Sequence, residues 1–194
     1  MPKIYTEEEK EKIRESLRKN ASNCLAIYGV KKTTVDELVK RAGIPKGTFY
    51  LFYKNKEELF FDVLLNFSSR MENMYLQMLQ NLDENHIVTS LTDVFTEIAI
   101  QIYKEGIFRF LSSSEMELVE RRLDDKSVEN ANLMRKEMLK NLFSYFSIDD
   151  DSDISSFSDG FGAVMYILLH ADRIPGFEKT LRFIIRGLVL QMVE

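Results

Sequence analysis

The stretch Thr33–Glu58, TTVDELVKRAGIPKGTFYLFYKNKEE, carries the signals for two short helices joined by a tight turn. Thr33 and Thr34 each stand three residues before an acid, a pattern that predicts a helix start. Gly43 predicts the end of that helix, because glycine readily adopts the left-handed conformation found at helix C-termini. Pro45 suits the first turn of a second helix, where its missing N–H costs nothing. The pattern therefore predicts a helix-turn-helix.

The same stretch is basic within an acidic chain. Seven Lys and Arg residues lie between Lys31 and Lys56, against two acids. Residues 1–60 carry thirteen basic and nine acidic residues, whereas the remainder carries thirteen and twenty-two. This asymmetry is typical of a protein that binds nucleic acid at one end and repels it elsewhere.

In order and spacing these residues resemble the DNA-binding domain of the tetracycline-repressor (TetR) family of bacterial regulators. The motifs that carry the resemblance are Thr33-Thr34, Ala42-Gly43, Lys46-Gly47-Thr48-Phe49-Tyr50, Phe52-Tyr53 and Lys56-Glu57-Glu58-Leu59. Two positions depart from the family pattern. Phe52 stands where His is common, and Tyr53 stands where Phe is common, which predicts a core ring with a hydroxyl at its edge.

The resemblance implies that the second short helix enters the major groove of double-stranded DNA, which is wide enough to admit it. It also implies a set of residues that contact phosphates and base edges. That set is Thr33, Thr34, Lys46, Gly47, Thr48, Tyr50, Phe52, Lys54 and Lys56. Most of these are positioning contacts, and Phe52 is the candidate for a thymine methyl group.

Helical periodicity without alternating strand patterns predicts an all-α fold of about nine helices. We expect an N-terminal three-helix DNA-binding domain with the helix-turn-helix at residues 1–55, and a larger helical ligand-binding and dimerisation domain at residues 56–194. A long helix ending near Leu82 should connect them. The acidic run Asp149–Asp153 predicts a loop before a helix capped near Ser156.

The second domain is rich in aromatic and Met residues, and the resemblance implies that some line a pocket for a small molecule. The candidates are Tyr75, Met78, Phe95, Ile98, Tyr103, Phe108, Met134, Met138, Met165 and Tyr166. Ordinary core packing is the competing interpretation. The resemblance also implies a homodimer through the last two helices. The candidates for that interface are Phe161, Val164, Leu168, Ile184, Leu188 and Met192, with a core inside one chain as the alternative.

Other classes of function find little support in the residues. Cys24 is the single cysteine and lies on an apolar stripe, and only two histidines are present, so we predict no metal, no cofactor and no catalytic residues. Without a signal peptide or a long apolar run, we expect a cytoplasmic protein that does not enter membranes.

We therefore expect a bacterial transcriptional regulator and not an enzyme. The favoured form is a dimeric repressor that binds a near-palindromic operator and is released by a small, largely apolar or aromatic ligand. The alternative is a helical DNA-binding dimer whose C-terminal body docks a protein partner or binds no ligand.

Overall fold

The structure, a computed structural model, describes residues 5–106, 110, 115–129, 133 and 151–193. All regular structure in these residues is helical and none of it is strand, which confirms the all-α class. The helices are α1 (Glu7–Lys32), α2 (Val35–Ala42), α3 (Lys46–Phe49), α4 (Lys56–Leu79), α5 (Ile87–Glu105), α6 (Glu115–Glu120), α7 (Asp151–Leu168) and α8 (Phe177–Val193). Short 3₁₀ turns cover Glu84–His86 and Ala171–Arg173.

The chain forms two compact units. One comprises the described parts of residues 1–68 and 109–128, and the other those of residues 69–108 and 129–194. We call the first unit the head and the second the body. Helix α4 contributes residues to both. The sequence predicted a different division, into a DNA-binding domain at residues 1–55 and a ligand-binding and dimerisation domain at residues 56–194. That division is by function, and it stays a prediction.

Local sequence signals explain the helix ends in the head. Helix α1 starts with a complete capping box, in which the Thr6 hydroxyl accepts the Glu9 N–H and the Glu9 carboxylate accepts the Thr6 N–H. Helix α2 ends at Gly43, whose φ of 68° is left-handed as predicted. Helix α2 packs against both α1 and α3, with Leu38 and Phe49 fully buried in the core.

Helix α4 also begins where its sequence indicates. The Asn55 side chain accepts the Glu58 N–H at 2.8 Å, and the Glu58 carboxylate accepts the Lys54 N–H at 2.7 Å. The helix ends at Leu79, three residues before the expected Leu82. The reason is local, since the Asn81 N–H donates to the Met78 carbonyl and so tightens the chain into a turn.

The body is built around one apolar core. Helix α5 packs along α8, and both contact α7. The core contains an aromatic row, in which Phe95 lies 5.9 Å from Tyr75 and 4.5 Å from Phe161 between ring centres. No helix in the described part of the chain has the length and apolar character that a membrane crossing requires.

The loop predicted for the acidic run is wrong at its C-terminal end. Residues 151–153 belong to α7, which already spans Ser156. Acidic residues suit the first turn of a helix because the backbone N–H groups there carry partial positive charge. An acidic run is therefore compatible with a helix start as well as with a loop.

Candidate nucleic-acid interface

Helix α3 is fixed to the head by one side and open on the other. Phe49 is fully buried and Thr48 is 6% exposed, and the Thr48 hydroxyl shares a hydrogen bond of 3.2 Å with the Tyr5 hydroxyl. Lys46 and Gly47 are exposed, and Tyr50 is 52% exposed. The Tyr50 ring stands edge-on to Phe49 at 5.3 Å, so a buried ring supports an exposed one.

Lys46 lies against the start of α2. Its Nζ is 2.9 Å from a carboxylate oxygen of Asp36, in the first turn of that helix. This hydrogen bond raises the pKa of Lys46 above its ordinary value. Both side chains are exposed, so water and salt weaken the pair and a DNA phosphate can take the place of the carboxylate.

Two further predicted contacts are also on the surface. Thr34 is the exposed N-cap of α2, and its hydroxyl oxygen accepts the Glu37 N–H at 3.2 Å. The hydroxyl hydrogen remains available as a donor to phosphate. Lys54 is 81% exposed at its side chain, with a 3.5 Å pair to Glu58. Thr34, Lys46, Gly47, Tyr50 and Lys54 together form what we call the basic surface.

Three of the predicted DNA contacts form hydrogen bonds within the head, and their role at DNA stays a prediction. The Thr33 side chain is buried and its hydroxyl donates to the Gly29 carbonyl at 2.7 Å. Lys56 donates to the carbonyls of Val30 and Thr33, both at 2.7 Å. Thr48 is buried as described above. These side chains hold the fold of the head, and their spacing alone could not distinguish that role from DNA contact.

Phe52 is half-buried, because the Arg14 guanidinium lies 5.4 Å over its ring. The neighbouring Leu51 is 69% exposed and offers the larger free apolar surface, although its sequence position gave no sign of this. Tyr5 and Arg14 were also missed as partners of this region. Both lie far from the helix-turn-helix in sequence, so only the folded chain shows their contacts.

Tyr53 confirms the expected ring with a hydroxyl at its edge. The side chain is 8% exposed, and its hydroxyl donates to the Asp62 carboxylate at 2.5 Å. Arg18 donates to the same carboxylate oxygen at 2.8 Å. Burial, and then the bond to Asp62, raises the pKa of Tyr53 well above its ordinary value. These contacts connect α1, the end of the helix-turn-helix and α4 within the head.

The candidates for the ligand pocket divide into several groups. Tyr75 and Phe95 are buried in the body core, while Ile98 and Tyr103 are partly buried against it. Met78 lines a groove of about 440 Å³ between α4 and α5. Tyr166 is 67% exposed and therefore faces outward, which corrects its assignment to an interior pocket. The structure does not describe Phe108, Met134, Met138 or the side chain of Met165.

The candidates for the dimer interface are mostly internal to one chain. Val164, Leu168 and Met192 are buried, which corrects their assignment to the interface. Phe161, Ile184 and Leu188 are partly buried against the same core. Among the described side chains of α7 and α8, the large apolar ones that are exposed are Tyr166, Phe183, Leu190 and Val193. We call these four the apolar stripe.

A short helix with an exposed basic and aromatic end, anchored across a tight turn, defines a helix-turn-helix DNA-binding regulator. Residues 17–63 match the family model described as bacterial regulatory proteins, tetR family. Over this segment, which contains the helix-turn-helix, the chain is similar to the TetR family. The fold of the chain is that of solved TetR-family structures.

Individual proteins are similar to the chain in sequence or in fold. The chain is 30% identical over 102 residues to the uncharacterized HTH-type transcriptional regulator YdgC of Bacillus subtilis (strain 168). That match covers 53% of this chain and 49% of the relative, about half of its length. A TetR family transcription regulator from Marinobacter aquaeolei VT8 has the same fold, with a TM-score of 0.71, 12% identity, and coverage of 96% of this chain and 98% of that one.

A third relative is the fatty acid degradation regulator FadR from Bacillus halodurans. It superposes with a TM-score of 0.62 at 16% identity, over 96% of this chain and 97% of its own. At this identity the likeness concerns the fold alone.

Proposed function

We propose that the protein is a dimeric repressor that binds a near-palindromic operator through the basic surface. The observation that carries this proposal is the exposure of Lys46, Gly47 and Tyr50 on a helix whose other side is anchored in the head core. Lys46 supplies charge to phosphate, the absence of a side chain at Gly47 lets the backbone approach, and Tyr50 adds a hydroxyl and a ring.

A single head reads few base pairs, so useful specificity requires two heads on related half-sites. The apolar stripe supports this requirement. Phe183 is 79% exposed and Tyr166 is 67% exposed, both on the last two long helices. A second copy of the chain would remove these rings from water, and the burial of apolar area favours association.

The repressor would be released by a small, largely apolar or aromatic ligand bound in the body. The groove beside Met78 has the volume of a small-molecule site and includes Met74 and Val94 with the polar Asp93 and Ser90. Release requires only that the ligand prefer a conformation with the two heads out of register with the operator. A hundredfold preference would shift that equilibrium by about 2.7 kcal/mol.

The decisive experiment measures binding of the purified protein to DNA from immediately upstream of its own gene, across a salt titration. The test variant combines Lys46→Ala and Tyr50→Ala, and Lys104→Ala serves as a control that removes an exposed charge from the body. We expect the double variant to bind at least about tenfold more weakly, with a salt slope lower by about 0.9 for the lost charge. The control should bind as wild type.

Equal binding by wild type and the double variant would show that the basic surface does not bind this DNA.

Ligand release has a separate test, in which the thermal midpoint of the protein is measured in the presence of a panel of apolar and aromatic compounds. A ligand at one hundred times its Kd stabilises the folded state by about 2.7 kcal/mol, and the same compound should release the DNA. If compounds that stabilise the protein leave the DNA complex intact, the inducer part of the proposal fails.

A further inference from the structure

A carboxylate from outside residues 17–63, the segment that matches the family model, contacts the turn at residues 29–34. This turn lies directly before the helix-turn-helix. Glu115, the first residue of α6, accepts the Val30 N–H at 2.7 Å through Oε2 and the Lys31 N–H at 3.4 Å through Oε1. These partners lie 85 and 84 positions apart in the chain. The contact is internal to the head, since residues 115–128 belong to that compact unit.

The turn needs this partner because α1 is interrupted there. Gly29 has φ 73° and ψ −177°, which is not helical, so the N–H groups after it lose their regular acceptors one turn back. A β-carbon at Gly29 would lie 2.3 Å from Glu115 Oε2, closer than atoms can approach. Glycine therefore provides both the left-handed backbone and the space that the carboxylate occupies.

The carbonyl side of the same turn is also held by side chains. Lys56 donates to the carbonyls of Val30 and Thr33, and the Thr33 hydroxyl donates to the Gly29 carbonyl. An anion thus binds the N–H groups and a cation binds the carbonyls of one short segment. Such charge-assisted hydrogen bonds are stronger than neutral ones.

We infer that Glu115 is a positioning residue for DNA binding, an inference that rests on the function proposed above. The turn ends at Thr34, the N-cap of α2, and is bonded to Lys56, the first residue of α4. It therefore sets the start of both helices that flank α3. Loss of the carboxylate frees the turn to adopt other conformations, and only part of that ensemble presents the basic surface correctly.

The test uses the full chain and the upstream DNA, with Glu115→Ala, Glu115→Gln and the control Glu117→Ala. Glu117 lies in the same helix, and its exposed carboxylate pairs only loosely with Arg121 at 3.4 Å. We expect about tenfold weaker binding for Glu115→Ala, an intermediate loss for Glu115→Gln, which retains one acceptor oxygen, and no change for Glu117→Ala. All measurements are made well below each variant's thermal midpoint, where a general loss of stability leaves affinity unchanged.

Hydrogen exchange supplies a readout that does not require DNA. In Glu115→Ala the amides of Val30 and Lys31 should exchange faster, while those in the middle of α4 should not. Unchanged operator affinity in Glu115→Ala overturns the inference, as does unchanged amide exchange. If wild type binds no DNA but the two amides still lose protection, the proposed function fails while the Glu115 contact stands. If Glu115→Ala does not fold, the same criteria apply to Glu115→Gln.

Discussion

Lys54 and Lys56 show how two residues of one type, two positions apart, can serve different purposes. Lys54 extends into solvent with its side chain 81% exposed, whereas the Lys56 ammonium group is bonded to two backbone carbonyls. In the sequence both belong to the seven basic residues between Lys31 and Lys56, and their charge does not distinguish them. The difference depends on where the end of α1 lies relative to the start of α4, which is a property of the folded head.

This difference predicts that substitution by Met affects stability at Lys56 and DNA binding at Lys54. Lys56→Met keeps the aliphatic stem and removes the donors, so the free energy of unfolding should fall by about 1–3 kcal/mol. Lys54→Met should change it by less than about 0.5 kcal/mol and should instead lower the salt slope of DNA binding by about 0.9. Urea unfolding at a fixed protein concentration measures the first effect. Equal stability of the two variants would contradict the assignment of Lys56 to the turn.

Tyr53 predicts a pH dependence. Its folded-state pKa is raised above the ordinary value of 10, chiefly by burial and then by the bond to Asp62. The folded protein therefore retains this proton at a pH where the unfolded chain releases it, so stability is full below about pH 10 and falls as the pH rises above it. Tyr53→Phe should lose about 1 kcal/mol at neutral pH, because the hydrogen bond is removed.

The same variant should also show a shallower decline of stability above about pH 10, since the titrating hydroxyl is gone. Urea midpoints between pH 8 and pH 11 test both effects. Parallel curves for wild type and Tyr53→Phe over this range would show that Tyr53 does not govern the alkaline loss.

At the scale of elements, the sequence predicted the helix-turn-helix well because its signals are local. The caps at Thr34 and Gly43 and the start of α4 at Asn55 each depend on neighbours within a few residues. The faces of α7 and α8 were harder to assign. Residues 161–169 and 183–190 are almost all apolar, so periodicity could not tell that Val164 is buried while Phe183 is exposed.

Helix α5 contains two buried threonines that make a matched pair. Thr92 is fully buried and its hydroxyl donates to the Val88 carbonyl at 2.5 Å. The Thr96 hydroxyl is a buried side-chain group that has no hydrogen-bond partner within the described residues. A buried polar group without a partner lowers stability, whereas one that is bonded does not.

The near-isosteric substitution by valine should therefore separate the two positions. Thr96→Val should leave the free energy of unfolding unchanged or raise it by about 1 kcal/mol, while Thr92→Val should lower it by about 0.5–1.5 kcal/mol. Thermal and urea unfolding of both variants, compared with wild type, measure the difference. A Thr96→Val variant as unstable as Thr92→Val would mean that the Thr96 hydroxyl is satisfied in solution.

At the scale of the whole molecule, the all-α fold follows from the sequence, but the proposed dimer interface can be located only from the exposed surface. The interface residues chosen from periodicity include Val164 and Leu168, which belong to the core of the chain itself. Only side chains that are exposed in one chain are available to contact a second copy. The exposed side chains of these helices could be identified only after the buried core of the chain was known.

The apolar stripe predicts the effect of a single charge. If the chain forms the proposed dimer through this stripe, Phe183→Glu should raise the dimer dissociation constant by at least about tenfold, because association would bury an unpaired carboxylate. Operator affinity should fall with it. Ile27→Glu is the matched control, since Ile27 is 66% exposed but lies on α1. Sedimentation equilibrium across a range of concentrations gives the dimer dissociation constant of each variant. A Phe183→Glu dimer as tight as the wild-type dimer would exclude the stripe as the interface.

The contact of Glu115 with the turn at Val30 also affects how hybrid regulators should be made from this protein. A hybrid made with one splice point exchanges only a continuous N-terminal segment. In this chain the head includes residues 115–128, which lie beyond α5 in the sequence. A chimera joined at one site within α4 would pair this turn with a foreign residue in place of Glu115. A functional exchange should therefore transplant both segments together.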